Sequence, residues 1–262
     1  MQLTDLSSRV IPANEYRRER WRNQLGWTRE ILRLGDADAW SLRLSIAEIE
    51  HDALFSAFPG IDRELVLLQG NGMRLRFGGG NGNAGSGPAG GERDGTDVSV
   101  YASNSNSNSN SNSNANLDDS ADAHSDADIS VASGGRVAEL LPPYQRVRFA
   151  GEDAVHATLL DGPTLDFNLL WRRDLLQTEL LHRPLVGTML FFADPGSAWA
   201  IHLLAGQASF GRDSALPPLV AGDTAWLSAA ARTRYVLDGG GELLAIRVSP
   251  LAGIEPAGHR AD

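Results

Sequence analysis

Arg43 interrupts an alternating run, Trp40 to Ala47, in which Trp40, Leu42, Leu44 and Ile46 fall on one side of a strand and Ser41, Arg43, Ser45 and Ala47 on the other. Ser45 and Ala47 are small enough to leave room beside the guanidinium. If that face is buried, the charge costs on the order of several kcal/mol unless a carboxylate meets it, and its planar fork suits an acid held by two bonds. The acid comes either from the protein, with Glu48 close by, or from a bound small molecule. Asp166-Phe167-Asn168 repeats the theme, since Leu165, Phe167 and Leu169 can point into a core while Asp166 and Asn168 share the opposite face. An acceptor-only carboxylate beside an amide that both donates and accepts suits an amide-bearing ligand. With Gly162-Pro163 just upstream, the pair also fits an Asx turn at a strand edge. Arg22 to Glu30, which includes Asn23 and Thr28, is dense in polar groups around Gly26 and Trp27, and reads as a pocket rim or as an exposed loop entering a strand. Phe58 to Arg63 reads as a structural turn in which Pro59 presets φ.

Other chemistries find few residues to carry them. The chain has no cysteine, hence no disulfide, thiolate metal site or thiol nucleophile, and no lysine, hence no Schiff base and no phosphate-loop lysine. Its six histidines never fall two or four residues apart, so His-x-His and His-Glu-x-x-His are absent. His156, His182 and His202 lie in predicted strands and converge only if the fold brings them together, so no metal and no cofactor are expected. There is no Gly-x-Ser-x-Gly elbow. The glycine-rich stretch Gly78 to Gly91 lacks the strand, helix and Gly-Lys pair of a phosphate loop. A metal-independent enzyme, an isomerase or lyase acting on a small carboxylic acid with Asp166 or Glu30 as general base, is the alternative to a binding protein.

The elements that must position these residues are strands. The 262 residues are 42% hydrophobic, enough for a substantial core. The formal charge of −10 is concentrated in Gly78 to Ser133, which holds eight acids and one arginine; the remainder carries no basic stripe for a nucleic acid. No stretch is long and apolar enough to span a membrane, and Met1 to Arg18 carries no signal-type apolar region, so a cytoplasmic protein is expected. Short apolar runs bounded by Gly, Pro and Asp predict strands at Trp40 to Ala47, Glu64 to Leu68 and Met73 to Phe77, the last two joined by Gly70-Asn71-Gly72. Further strands are expected at Arg146 to Phe149, Ala154 to Leu160, Leu165 to Trp171, Gln177 to His182, Leu190 to Ala193 and Ala198 to Leu204. A Gly206-Gln207 turn then leads to Val220 to Leu227, Thr233 to Leu237 and Leu243 to Val248. Asn14 to Arg20 is the sole helical candidate, with Asn14 as cap. Ser41 to Phe77 and Ala198 to Val248 read as two related modules of an all-β sandwich or jelly roll. Residues 78–135, with six consecutive Ser-Asn dipeptides, read as a disordered low-complexity insertion because such residues bury almost no carbon.

The segments Trp21 to Ile31, Ser41 to Ile49 and Phe55 to Arg63, followed by Leu160-Asp161-Gly162-Pro163 and Asp166-Phe167-Asn168-Leu169, resemble the HutD/Ves family in order and spacing. The resemblance implies a double cupin, two jelly-roll β-barrel modules with little helix. Its first module spans about 15–77 plus 136–182 and its second about 183–250. It also implies a non-catalytic role in histidine utilisation or its regulation, through binding of a small carboxylate such as N-formylglutamate, without the usual histidine metal ligands. Asn23, Thr28, Arg43, Asp62, Asp166 and Asn168 match the polar positions of the family motifs and are the implied ligand-binding residues. A lysine-Asn-Gly-Gly-Gly run of the family is Arg22-Asn23-Gln24-Leu25-Gly26 here, which adds bulk and removes backbone freedom at the pocket rim. A small-molecule carboxylate is the expected partner, nucleic acid and membrane are not, and a homodimer is compatible with the reading. Excision of Gly80 to Ser133 is expected to leave cooperative thermal unfolding intact; its loss would mean that the stretch contributes to the fold.

Overall fold

A computed structural model describes residues 7–78, 126–132, 135–212 and 214–251. Its described residues form strands joined by turns, and their one helical element is the three-residue 3-10 turn Ala13–Glu15. In chain order the strands are β1 (Arg9–Ile11), β2 (Arg17–Arg20), β3 (Gly26–Gly35), β4 (Trp40–Ile49), β5 (Ala53–Leu54), β6 (Ile61–Gln69), β7 (Met73–Phe77), β8 (Asp128–Ala132), β9 (Gly135–Leu140), β10 (Arg146–Ala150), β11 (Val155–Leu159), β12 (Thr164–Arg172), β13 (Leu176–Ala193), β14 (Ala198–Phe210), β15 (Leu219–Val220), β16 (Thr224–Ser228) and β17 (Thr233–Pro250). None of the described helical structure is long and apolar enough to cross a membrane.

The strands make three sheets. A central sheet runs β10-β6-β12-β4-β3-β2, a second runs β5-β11-β7-β9-β8, and a third runs β1-β16-β14-β17-β13 with β15 attached to β14. The inner strands of the central sheet, β6, β12 and β4, are largely buried on both faces. One face carries Leu42, Leu44, Ile46, Phe167, Leu169 and Trp171 against Leu176, Leu180, Trp226, Leu244 and Ile246 of the third sheet, welding the two halves together. The other face carries Ala47, Ile49, Leu65 and Leu67 against Met73, Leu75, Leu140 and Val155 of the second sheet. Alternation along β4 and β12 therefore divides two apolar cores, as the pleat requires. The third sheet encloses its own core of Leu185, Phe191, Leu203, Phe210 and Leu237.

Four features depart from the sequence reading. The helical candidate Asn14 to Arg20 is instead a short turn followed by β2, and Pro12 rather than Asn14 occupies the cap position. With four charged residues in a row, Arg17 to Arg20 suit an exposed edge strand, where charge discourages further pairing. Gly206-Gln207 is no turn: β14 runs through it, and β13 and β17 each join two segments read as separate strands. Gly206 lies against Gly240 so closely that a Cβ on it would fall 1.9 Å from the Gly240 carbonyl oxygen, so these glycines let two paired strands bend together. The sheet of the second half takes in β1 and begins at Leu176, so the module boundary expected at 183 falls inside β13. Finally, β8, inside the stretch read as insertion, pairs with β9 and Asp126 bridges to Arg146, while residues 79–125 and 133–134 lie outside the described residues. An excision ending at Ser133 would remove β8.

Two ionisable side chains are wholly enclosed. His202 stacks at 5.2 Å on Phe167 at the junction between halves, and its Nδ1 lies 3.0 Å from the Thr224 hydroxyl, which also meets the Tyr16 hydroxyl at 2.8 Å. Burial lowers its pKa from 6.5 to about 4. Asp166 accepts a 2.8 Å hydrogen bond from the Thr164 hydroxyl at Oδ2, while Oδ1 has no partner; burial holds its pKa well above the usual 3.8. These groups act on stability with opposite signs. An unfolded chain takes up a proton at His202 near pH 6.5 and the folded chain only near 4, so acidification through this window should cost about 3 kcal/mol. Denaturant titrations from pH 7 to 4 should show this loss in the parent and not in His202→Gln. At Asp166 the folded state keeps a proton that the unfolded chain releases, so stability is lost as pH rises above 3.8. Asp166→Asn, whose amide oxygen can still accept from Thr164, should melt higher at pH 7, by a margin that shrinks toward pH 4.

Candidate ligand pocket

The inner face of the central sheet is a grid whose registers run across β6, β12, β4 and β3. Leu67, Asp166, Ala47 and Thr28 form one row; Leu65, Asn168, Ser45 and Glu30 the next; Arg63, Leu170, Arg43 and Arg33 the third. Directly opposed residues project to the same side. The bulge between Glu30 and Leu32 sends both Ile31 and Leu32 toward the junction core and returns Arg33 to the face it shares with Glu30 and Arg43. In the first row Leu67 and Asp166 sink into the apolar core, whereas Thr28 and Ala47, together with Asn168 and Ser45 of the second row and Arg63, Leu170 and Arg43 of the third, line a cavity of about 550 Å³. Its floor includes Arg43, Ser45, Arg63, Asn168 and Leu170, and its walls are the β2–β3 turn and the segment Leu54 to Phe58.

Arg63 dominates the cavity. It is 7% exposed, and its guanidinium lies 5.0 to 5.6 Å from the rings of Phe55, Phe58 and Phe149. It donates to Asn168 Oδ1 at 3.1 Å and to the Ser56 carbonyl at 3.5 Å, while Nε has no partner. Among the described residues no carboxylate pairs with it. Burial, reinforced by the nearby Arg43 charge, lowers its pKa from 12.5 to about 10, so it remains protonated at neutral pH. Burying the charged form thus costs about 3 kcal/mol that the protein does not recover through a counter-ion.

Arg43 is less solitary than Arg63. Its Nε lies 2.9 Å from Glu30 Oε2, although the N–H does not point at that oxygen and makes no hydrogen bond, and Glu30 Oε1 also contacts Arg33 at 3.2 Å. Glu48, the acid nearest in sequence, instead pairs with Arg18 and Arg29 on the other face.

The β2–β3 turn is held from behind. Arg18 and Arg20 stack on the Trp27 ring at 3.9 and 4.8 Å, Trp27 Nε1 donates to Glu50, and Arg20 donates to the Gln24 carbonyl. In front, Trp21 Nε1 donates to the Thr28 hydroxyl at 2.8 Å. Asn23 Oδ1 accepts from the Leu25 amide at 3.1 Å, an Asx turn that leaves its amide nitrogen without a protein partner. Gln24 sits at φ 60°, the left-handed region where glycine is at ease, at a cost of roughly 1 kcal/mol. Because its side chain is exposed, it leaves the cavity open, so the expected crowding of the rim does not occur. Gly26 is irreplaceable by contrast, as a Cβ there would fall 2.4 Å from the Glu48 carbonyl oxygen.

Of the six residues singled out in the sequence, Asn23, Thr28, Arg43 and Asn168 line the cavity. Asp166 lies one row below, capped by Thr164, and Asp62 points to the opposite face, where it pairs with Arg148 at 2.9 Å and Arg173 at 2.8 Å. Neither is among the lining residues, and of the two candidate bases Asp166 favours its protonated form while Glu30 is held between two arginines. Arg63 was missed. Its signal was present: β6 begins at Ile61, and extending the predicted strand back from Glu64 puts Arg63 in phase with the buried Leu65 and Leu67. His156, His182 and His202 stay apart, and no group of three His, Asp or Glu side chains among the described residues is arranged to hold a metal.

Comparison with known proteins agrees with this architecture. An uncharacterized 21.2 kDa protein in the hutC 3′ region of Pseudomonas putida is 46% identical over 68 residues, 25% of this chain and 36% of that protein. Protein Ves of Cronobacter sakazakii is 25% identical over 161 residues, 61% of this chain and 58% of Ves, so the chain covers less than two thirds of either curated relative. HutD from Pseudomonas fluorescens superposes with a TM-score of 0.62 at 22% identity, over 93% of this chain and 99% of that one. Oxalate decarboxylase from Lactobacillus farciminis does so at 0.52 and 9% identity, over 94% and 87%. The fold is that of a double cupin. The sequence model of the HutD family matches residues 13–92 and 126–245, strands of both halves, and the chain belongs to the HutD family.

Proposed function

We propose that this chain is a non-catalytic cytoplasmic receptor for a small carboxylate of the N-formylglutamate type, linked to histidine utilisation or its regulation. The observation that carries the reading is Arg63, a buried cation without an acid at the floor of a half-open cavity. Arg43 and Asn168 stand beside it, and the hydroxyls of Thr28 and Ser45 are within the same wall system. The link to histidine utilisation rests on membership of the family and on the relative placed in the hutC 3′ region.

Magnitudes favour a shared grip. A charge-assisted hydrogen bond contributes about 1.5 to 3 kcal/mol net, whereas micromolar affinity needs about 8. Arg63 therefore acts with Arg43 and Asn168 rather than alone. A ligand carboxylate would also remove the penalty of the unpaired charge, which makes the anchor stronger than an exposed arginine.

Titration calorimetry with N-formylglutamate tests the reading. The parent should bind, and Arg63→Met should weaken binding by tens-fold or more while melting at a higher temperature, because the methionine keeps the bulk and removes the uncompensated charge. Equal affinity in parent and variant, or no affinity of the parent for any small carboxylate in a thermal-shift screen, would overturn it.

A further inference from the structure

The cavity floor holds more positive charge than one acid can use. Arg63 has no carboxylate partner among the described residues, and Arg33 and Arg43 stand directly opposite each other across β3 and β4, a like-charge pair that repels. Glu30 is placed between them, 3.2 Å from Arg33 and 2.9 Å from Arg43, with only 14% of its side chain exposed. The contact to Arg43 is made at Nε and is not aligned as a hydrogen bond, and Arg43 lines the cavity. Glu30 is not among the lining residues. Arg33 is not among them either, so the floor presents Arg43 and Arg63, with Glu30 set behind Arg43.

We infer that Glu30 is the resident counter-ion of Arg43 and sets the ligand charge that the site selects, favouring molecules with two carboxylates, one on Arg63 and the second competing with Glu30 for Arg43. This rests on the carboxylate-receptor reading above. A single carboxylate settles on Arg63, where no protein acid competes. A second reaches Arg43 against an acid already in place, so Glu30 holds down the affinity for the second charge and prevents Arg43 from becoming a second unpaired cation beside Arg63. Removing the negative charge from residue 30 should destabilise the empty protein and strengthen binding of dianions.

Glutarate and pentanoate, chains of equal length with two carboxylates and one, are suitable probes. In calorimetry the parent should bind glutarate at least ten-fold more tightly than pentanoate. Glu30→Gln should lower the melting temperature of the empty protein, raise glutarate affinity several-fold and leave pentanoate nearly unchanged. Arg43→Met in the parent should bring glutarate down to the level of pentanoate, a readout that does not depend on Glu30→Gln folding. A loss of affinity for both acids in Glu30→Gln, an equal change for both, or retention of the glutarate advantage in Arg43→Met would overturn the inference while leaving the receptor reading intact. Failure of the parent to bind either acid would count against the receptor reading itself.

Discussion

A strand shows alternate residues to opposite sides, and in the inner strands of the central sheet both sides are largely buried. Everything in the first half of the molecule follows from this constraint. One side is apolar where it joins the second half, so Leu42, Leu44, Ile46, Phe167, Leu169 and Trp171 are fixed by packing, while toward its margins it carries ion pairs such as Asp62–Arg148 and Glu48–Arg18. The other side is apolar only where the second sheet covers it, and beyond that limit its residues face a space that the protein leaves unfilled. Polar groups in that region are neither solvated surface nor core. They have to be satisfied by one another or by a guest.

Sequence alternation was sufficient to find part of this arrangement. Arg43, Asn168 and Asp166 announce themselves because each lies on the face opposite an apolar run long enough to read, and β4 and β12 pair so that these faces coincide. Arg63 did not, since Pro59-Gly60 made the segment look like a turn and placed the start of the strand too late. Glu30 could be named but not placed, because its partnership with Arg33 depends on a bulge at Ile31 that shifts the register by one residue. Asp62 shows the converse case. A motif position is a place in the chain, and the pleat put this one on the far face with Arg148 and Arg173. The long bent strands β13 and β17 were read as pairs because glycines that permit close crossing look, in one dimension, like glycines that make turns.

The two halves of the duplication spend their interiors differently. In the second, Leu185, Phe191, Leu203, Phe210, Leu237 and Leu243 fill the space between strands. In the first, Arg43, Ser45, Arg63 and Asn168 surround a cavity. His202, the one enclosed histidine, sits at the junction between halves with Phe167 and Thr224 rather than inside either. The second half thus contributes rigidity: its sheet backs the strands that present the site, and the β2–β3 turn is clamped on the free edge by the Trp27 stack with Arg18 and Arg20.

The energetic logic of Arg63 also constrains what the guest can be. A guanidinium already bonded to Asn168 and Ser56 would gain little from another neutral acceptor, because its charge would stay uncompensated in a low-dielectric setting. An anion changes the sign of the balance. A carboxylate on Arg63 would supply the coulombic attraction that the site lacks among the described residues, and the phenyl rings 5.0 to 5.6 Å from the guanidinium would strengthen it by lowering the local dielectric. Discrimination between an acid and its amide or ester should therefore exceed anything that shape alone provides, and binding of an acid should raise stability for the same reason.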